Sequence, residues 1–290
     1  MIKKILLGVG ALIVALVLLY TALYLIIEPK ANMEPDNSPA HYLAEIKANS
    51  ENKVLVCVGD SITHGRISHN YVDDLASGLS DKGFDVVNAG INGDLAYNVL
   101  VRKDEIVACD PDYISIFVGT NDVLGSLGEK QAEDCIKEKN LPQKPTEEFF
   151  RESLTELVKR LKENTDAKIA ILSIPPVGED LEAVPCLRSV EYSGIIKEIA
   201  AENGLTYLPL NEKMIEYLKE KGNEPGVSYE SKGQFTFVMY VAILKSYVLG
   251  RSYNEISAAN GLLLLSDLVH LNGVGAEMVS DMIGDFVLNN

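Results

Sequence analysis

Lys53-Val54-Leu55-Val56-Cys57-Val58-Gly59-Asp60-Ser61-Ile62-Thr63-His64-Gly65 is the stretch that decides the fold. Its apolar run has the length of a strand, stops at Gly-Asp-Ser, and gives way to polar and glycine residues. Beyond them Tyr71–Lys82 carries Val72, Leu75 and Leu79 on one helical face. The pattern predicts a buried strand, a tight loop and a helix. Ser61 then sits at the strand's C-terminal end, which is where open α/β sheets bind their ligands.

Further strand signals follow at Asp85–Gly90, Tyr113–Val118, Lys168–Ile174 and Thr206–Leu210. Helical patterns at Leu95–Ala108, Thr146–Asn164 and Ser189–Asn203 separate them, and Leu124–Lys144 reads as a polar insertion. Strands alternating with helices predict a parallel five-stranded sheet covered on both faces. Right-handed crossovers make a three-layer α/β/α, flavodoxin-like arrangement the natural one. After the fifth strand the alternation breaks down. Asn211–Gly222 looks helical, residues 223–260 read as an inserted loop with an apolar helix, and Gly273–Leu288 forms a closing helix. The inserted helix, Gln234–Leu249, is apolar almost all round yet too short to span a bilayer, so a buried core helix is expected. The sharper alternative is a lid or lipid-facing surface over the site.

The N-terminus reads differently. Lys3-Lys4 precede 23 uncharged, mostly apolar residues, Ile5–Ile27, which as a helix would span roughly 34 Å, the thickness of a bilayer core. Length and the lack of a small-x-small site favour an uncleaved transmembrane anchor, residues 1–30, over a cleaved signal. The lysines before the span place the body outside the cell, single-pass in the cell membrane. Residues 31–52, with Pro35 and Pro39, read as a stalk, and residues 53–290 as the folded domain. The formal net charge of −16 argues against nucleic-acid partners and against electrostatic adhesion to anionic lipid. The four cysteines, Cys57, Cys109, Cys135 and Cys186, form no Cys-x-x-Cys, so no metal site is expected. Cys57 and Cys109 read as buried thiols. Cys135 and Cys186 fall in expected loops, where they either pair in an oxidising compartment or remain two unrelated thiols.

Gly-Asp-Ser alone is a weak signal, since Asp60 or Ser61 could simply cap a helix. A phosphate loop is excluded by the Gly59–Gly65 spacing and by Arg66, and a Gly-x-Ser-x-Gly elbow by Thr63. His270 is one of four histidines, and Asp267 precedes it by three residues. A carboxylate so placed can accept the imidazole Nδ1–H and fix the tautomer of a general base. Gly90 and Asn121 end two expected strands. Either they are a turn glycine and a helix cap, or they join the Ser61 N–H in facing a developing oxyanion.

Taken together, Gly59-Asp60-Ser61, Asn88-Ala89-Gly90-Ile91-Asn92-Gly93, Gly119-Thr120-Asn121-Asp122 and Asp267-Leu268-Val269-His270 resemble, in order, the blocks of the SGNH/GDSL hydrolase family. The resemblance covers about residues 53–290. It implies a serine esterase or acylhydrolase with Ser61 as nucleophile, His270 as base and Asp267 orienting it. The implied oxyanion hole is Ser61 N–H, Gly90 N–H and the Asn121 side chain. It implies no cofactor, and a small-molecule, lipid or acylated-glycan ester as substrate. An O-acyltransferase working through the same acyl-enzyme, or a non-catalytic binding module on the same fold, are the rival readings.

Overall fold

The computed structural model describes residues 21, 25, 27–222 and 224–290, and the body of the protein is Glu34–Asn290. Five parallel strands form one sheet: β1 (Lys53–Gly59), β2 (Phe84–Gly90), β3 (Tyr113–Phe117), β4 (Lys168–Leu172) and β5 (Thr206–Leu208), in the order β2-β1-β3-β4-β5. This is the flavodoxin-like order expected from the alternating pattern. Val54 to Val58 are buried on both faces of β1, which is why that strand is apolar throughout and does not alternate.

After β1 the α-helices, in chain order, are α1 (Ser61–His64), α2 (Tyr71–Leu79), α3 (Ala96–Val101), α4 (Lys103–Ala108), α5 (Thr120–Ser126) and α6 (Glu129–Lys139). They continue with α7 (Glu147–Asn164), α8 (Val184–Asn203), α9 (Leu210–Lys221), α10 (Lys232–Tyr247), α11 (Tyr253–Ala259) and α12 (Gly273–Leu288). One layer has α2 packed on α12, and the other has α3, α4 and α8 packed on α7. Ring contacts tie helices to the sheet on one side, Tyr71 with Phe117 and Tyr113 with Phe286, and α7 to α8 on the other, Phe150 with Tyr192. Side-chain caps fix the helix starts where the sequence allows. Asn70 accepts from the N–H groups of Val72 and Asp73, Thr146 from Phe149, and Asn272 from Val274 and Gly275.

Several expectations are corrected. The stretch read as one helix, Leu95–Ala108, is two, broken at Arg102, and the polar insertion Leu124–Lys144 contains the end of α5 and all of α6. The stretch read as a stalk belongs to the body from Glu34 onward. Asn37 accepts the Asn88 N–H and donates its side-chain amide to the Val86 carbonyl, both on β2, and Tyr42 is buried in the core. This covers the outer edge of β2, which would otherwise present unpaired backbone groups. Cys135 and Cys186 lie in α6 and α8 rather than in loops, and all four cysteines are free thiols. Burial pushes the Cys135 and Cys186 thiols up to about 11, so neither is an activated thiolate. The apolar helix α10 is not a core helix, for only its Ala242 and Ile243 are buried. The anchor expectation for Ile5–Ile27 lies outside the described residues; among those described, no helix is long and apolar enough to cross a membrane.

The sheet brings the ends of β1, β2 and β3 to one edge, with Gly59 paired in register to Gly90 on one side and to Phe117 on the other. Close packing there demands glycine. A Cβ on Gly90 would lie 2.2 Å from the His64 nitrogen and 2.6 Å from the Thr63 carbonyl carbon, both backbone atoms of α1. Gly78, on α2, has open space around it. Gly90→Ala should therefore destabilise the protein by about 1–3 kcal/mol or more through overpacking. Gly78→Ala should stabilise it by about 0.4–1 kcal/mol, by making the unfolded chain less flexible. Denaturant midpoints at unchanged m-value would check both.

Candidate active site

At the end of β1 the backbone turns abruptly. Asp60 caps α1 by accepting the Ile62 N–H at 3.0 Å, and Gly65 ends the helix in the left-handed region at φ 76°. Ser61 is thereby held at the first position of a one-turn helix, 6% exposed. Its Oγ is 3.0 Å from His270 Nε2, a contact between residues 209 positions apart.

His270 belongs to an irregular segment between α11 and α12, so local hydrogen bonds must supply what a strand would otherwise provide. Asp267 supplies most of them. Its Oδ1 accepts the N–H groups of Val269 and His270 at 2.7 and 2.8 Å, and its Oδ2 accepts His270 Nδ1–H at 2.8 Å. The three-residue spacing thus sets a tight turn as well as an imidazole partner. With Nδ1 carrying the proton, Nε2 is left to accept from the Ser61 hydroxyl. Both residues are buried, Asp267 at 1% and His270 at 3% exposure. Burial raises the Asp267 pKa, but the His270 charge and hydrogen bonds outweigh it and hold the carboxyl below its ordinary value. Burial likewise disfavours the His270 cation, yet the Asp267 charge and hydrogen bond, aided by Asp60, raise its pKa above the ordinary 6.5.

A second carboxylate, not singled out from the sequence, holds this segment from below. Glu179, 1% exposed, follows the Pro175-Pro176 end of β4. It accepts the N–H groups of Leu263, Leu264 and Leu265 at 2.7 to 3.0 Å, while the Gly178 N–H donates to the Leu268 carbonyl at 2.7 Å. Burial raises its pKa against the pull of those three N–H groups. The Ser266 N–H and hydroxyl both donate to the His270 carbonyl, completing the frame.

The structure treats the two other expected residues differently. Gly90 is buried and its N–H already donates to Asn88 Oδ1 at 3.0 Å, so it has no donor to offer an oxyanion. This corrects the sequence expectation: Gly90 is a packing glycine for α1. The second glycine of the same block, Gly93, stands at φ 75° beside Asn121 on the wall of a cleft. Asn121 donates its amide to the Asp94 carbonyl at 3.1 Å and weakly to Asp60 Oδ2 at 3.4 Å. The surroundings are acidic and buried. Asp60 is pushed up to about 7 by burial, against the Ile62 N–H and the His270 charge, and Asp122 is raised far above its usual range by burial. Asp94 is raised by burial despite Arg102 at 2.8 Å and Lys139 at 3.5 Å. Arg102 also donates to the carbonyls of Gly59 and Ala89, tying together the ends of β1 and β2.

Beyond Gly93 and Asn121 opens a cleft of about 340 Å³ between α5, α6 and α10. A larger cavity, about 520 Å³, lies at the other end of the strands, where Lys53, Asp112, Tyr113 and Lys168 line it. The thiol on that cavity, Cys109, donates to the Glu105 carbonyl and is pushed up to about 11 by burial, so it is not an activated thiolate. Among the described residues no group of three or more His, Cys, Asp or Glu side chains could hold a metal ion.

The family model described as the GDSL-like lipase/acylhydrolase family matches residues 57–225, more than half of the chain. An acetylxylan esterase from Geobacillus stearothermophilus is 28% identical over 192 residues, covering 60% of this chain and 83% of that protein. The crystal structure of an acetylxylan esterase from the same organism superposes with a TM-score of 0.55 at 21% identity, over 82% of this chain and 94% of the other. A second crystal structure, of an acetyl xylan esterase, gives 0.54 at 19% identity over 81% and 99%. The structural likenesses bear on the fold and the family match on the chemistry, and the chain belongs to the GDSL-like lipase/acylhydrolase family, as a carboxylic ester hydrolase of the SGNH type.

Proposed function

We propose that the protein is a serine esterase working through an acyl-enzyme at Ser61, with His270 as general base and acid and Asp267 as its orienting carboxylate. The observation that carries the reading is the continuous hydrogen-bonded chain Ser61 Oγ–His270 Nε2 and His270 Nδ1–Asp267 Oδ2, at 3.0 and 2.8 Å and closed off from solvent. Ser61 attacks the ester carbonyl as His270 takes its proton. The negative charge that develops on the carbonyl oxygen is received by the Ser61 N–H, by the Gly93 N–H in place of Gly90, and by the Asn121 amide, whose 3.4 Å contact with Asp60 is easily exchanged. His270 then protonates the leaving alcohol, and a water molecule, deprotonated by the same imidazole, releases the acid.

The names of the relatives refer to acetylated xylan, which makes an acylated glycan one candidate for the alcohol portion of the substrate. Membrane tethering with the domain outside the cell rests on Lys3–Ile27 of the sequence alone.

Ser61→Ala should lower kcat on p-nitrophenyl esters by on the order of 10⁶-fold, and Asn121→Ala by roughly 10²–10³-fold. Activity of Ser61→Ala equal to wild type would end the assignment. The base must be neutral to act, so activity falls as pH drops through its raised pKa. The acid limb of kcat/KM should inflect above 6.5. In Asp267→Asn burial remains without the countercharge, so the limb should move below that value, with a loss of about 10⁴-fold in kcat. Glu179→Gln should lower kcat by on the order of 10²-fold with little change in KM, because it displaces the base and leaves substrate contacts alone. A rise in KM at constant kcat would argue against that role.

A further inference from the structure

The helix α10 lies beyond residue 225, where the family match ends. It is apolar almost all round, yet Ala242 and Ile243 are its only buried residues, and Phe237 is 69% exposed. Both ends are fastened to the site. At the start, Lys232 pairs with Asp134 of α6 at 2.6 Å, and at the end the Tyr247 hydroxyl donates to the Arg66 carbonyl at 2.7 Å, in the loop after α1. The middle of the helix forms one wall of the 340 Å³ cleft, in which Leu124, Phe235, Met239 and Tyr240 face the same space as Gly93 and Asn121.

Resting on the esterase reading above, we infer that this cleft is the acyl-chain site, and that the preferred substrates carry an uncharged aliphatic acyl group longer than acetyl. Two observations lead there. In the tetrahedral adduct the leaving oxygen must reach His270 Nε2 and the oxyanion must face Gly93 and Asn121. Gly93 and Asn121 line the cleft, whereas neither Ser61 nor any residue of the segment 261–272 around His270 does. A substituent in the cleft is therefore on the side away from the leaving alcohol, and that substituent is the acyl chain. The charges at the rim are also already paired. Lys232 faces Asp134 and Glu138, and Lys139 faces Asp94 and the Asn92 carbonyl. An acid chain bearing its own charge would find no free counterion, whereas methylenes would replace water against Leu124, Phe235 and Met239.

The test is a series of p-nitrophenyl esters from acetate to dodecanoate, with one leaving group throughout, on the full chain and on Met239→Trp and Met239→Ala. Complete burial of a methylene is worth roughly a fourfold gain in binding. With partial burial, kcat/KM should rise at least about tenfold from acetate to hexanoate. Met239→Trp fills the cleft and should cut the hexanoate-to-acetate ratio by about fivefold or more. Met239→Ala enlarges it and should raise the ratio of octanoate to hexanoate, which keeps the test readable if the tryptophan variant does not fold. If acetate is hydrolysed as well as hexanoate and neither variant changes the ratios, the acyl-site assignment fails while the esterase reading stands. If no ester in the series is hydrolysed, the esterase reading fails and takes this inference with it.

Discussion

One buried carboxylate sets the geometry on which the site depends. Asp267 is enclosed by protein, and an ion so placed is tolerated only when its lone pairs are used. They are: two backbone N–H groups and the imidazole Nδ1–H converge on it within 2.8 Å. The backbone bonds fold the turn, and the imidazole bond selects the tautomer, so the carboxylate that shapes the segment also leaves Nε2 facing Ser61. The same charge raises the basicity of His270 above what its burial alone would give. Removing it would disturb turn, tautomer and pKa together.

The rest of the architecture delivers the serine to that imidazole. The sheet holds the ends of β1, β2 and β3 in register, α1 packs so closely on Gly90 that no side chain fits between them, and Arg102 clamps the ends of β1 and β2. The His270 segment belongs to no strand: Leu265 and Leu271 form an isolated bridge within it, and Ser68 and His69 hydrogen-bond to the Leu271 backbone. Glu179 makes up the difference by taking three consecutive N–H groups into one carboxylate, a local anion nest. A rigid edge carries Ser61 and a polar clasp carries His270. Ser61 follows directly on β1, and the His270 segment is tied both to Glu179, in the loop after β4, and to Ser68 and His69, in the loop after α1.

What could be read from the residues follows from how local each signal is. The strands were legible because doubly buried parallel strands are continuous apolar runs, and Ser61 because such a run ends on it. Asp267 and His270 were legible because the turn that joins them spans three residues. Gly90 was assigned the wrong role because Gly-Ile-Asn-Gly holds two glycines, and nothing in the string says that Asn88 already consumes the N–H of the first. Glu179 was invisible since its partners are backbone groups 84 to 86 residues away, which carry no side-chain signature. The core position expected for α10 failed for a related reason. Apolar composition announces that a helix seeks an apolar partner, without saying whether that partner is the sheet or a cleft beside the site. Cys135 was placed in a loop by the polarity of the insertion around it, and Cys186 because its helix starts at Val184, ahead of the expected Ser189, with no side-chain cap to mark the start.

The central claim is that Ser61, and no other hydroxyl, is the atom that becomes acylated. Its most direct measurement is reaction of the folded protein with a fluorophosphonate, followed by proteolysis and mass spectrometry of the modified peptide. A single stoichiometric adduct on Ser61 is expected, formed in the native protein and not after unfolding, because only the fold brings His270 Nε2 to the hydroxyl. A stoichiometric adduct on another residue, or none on native protein that is hydrolysing esters at the same time, would contradict it.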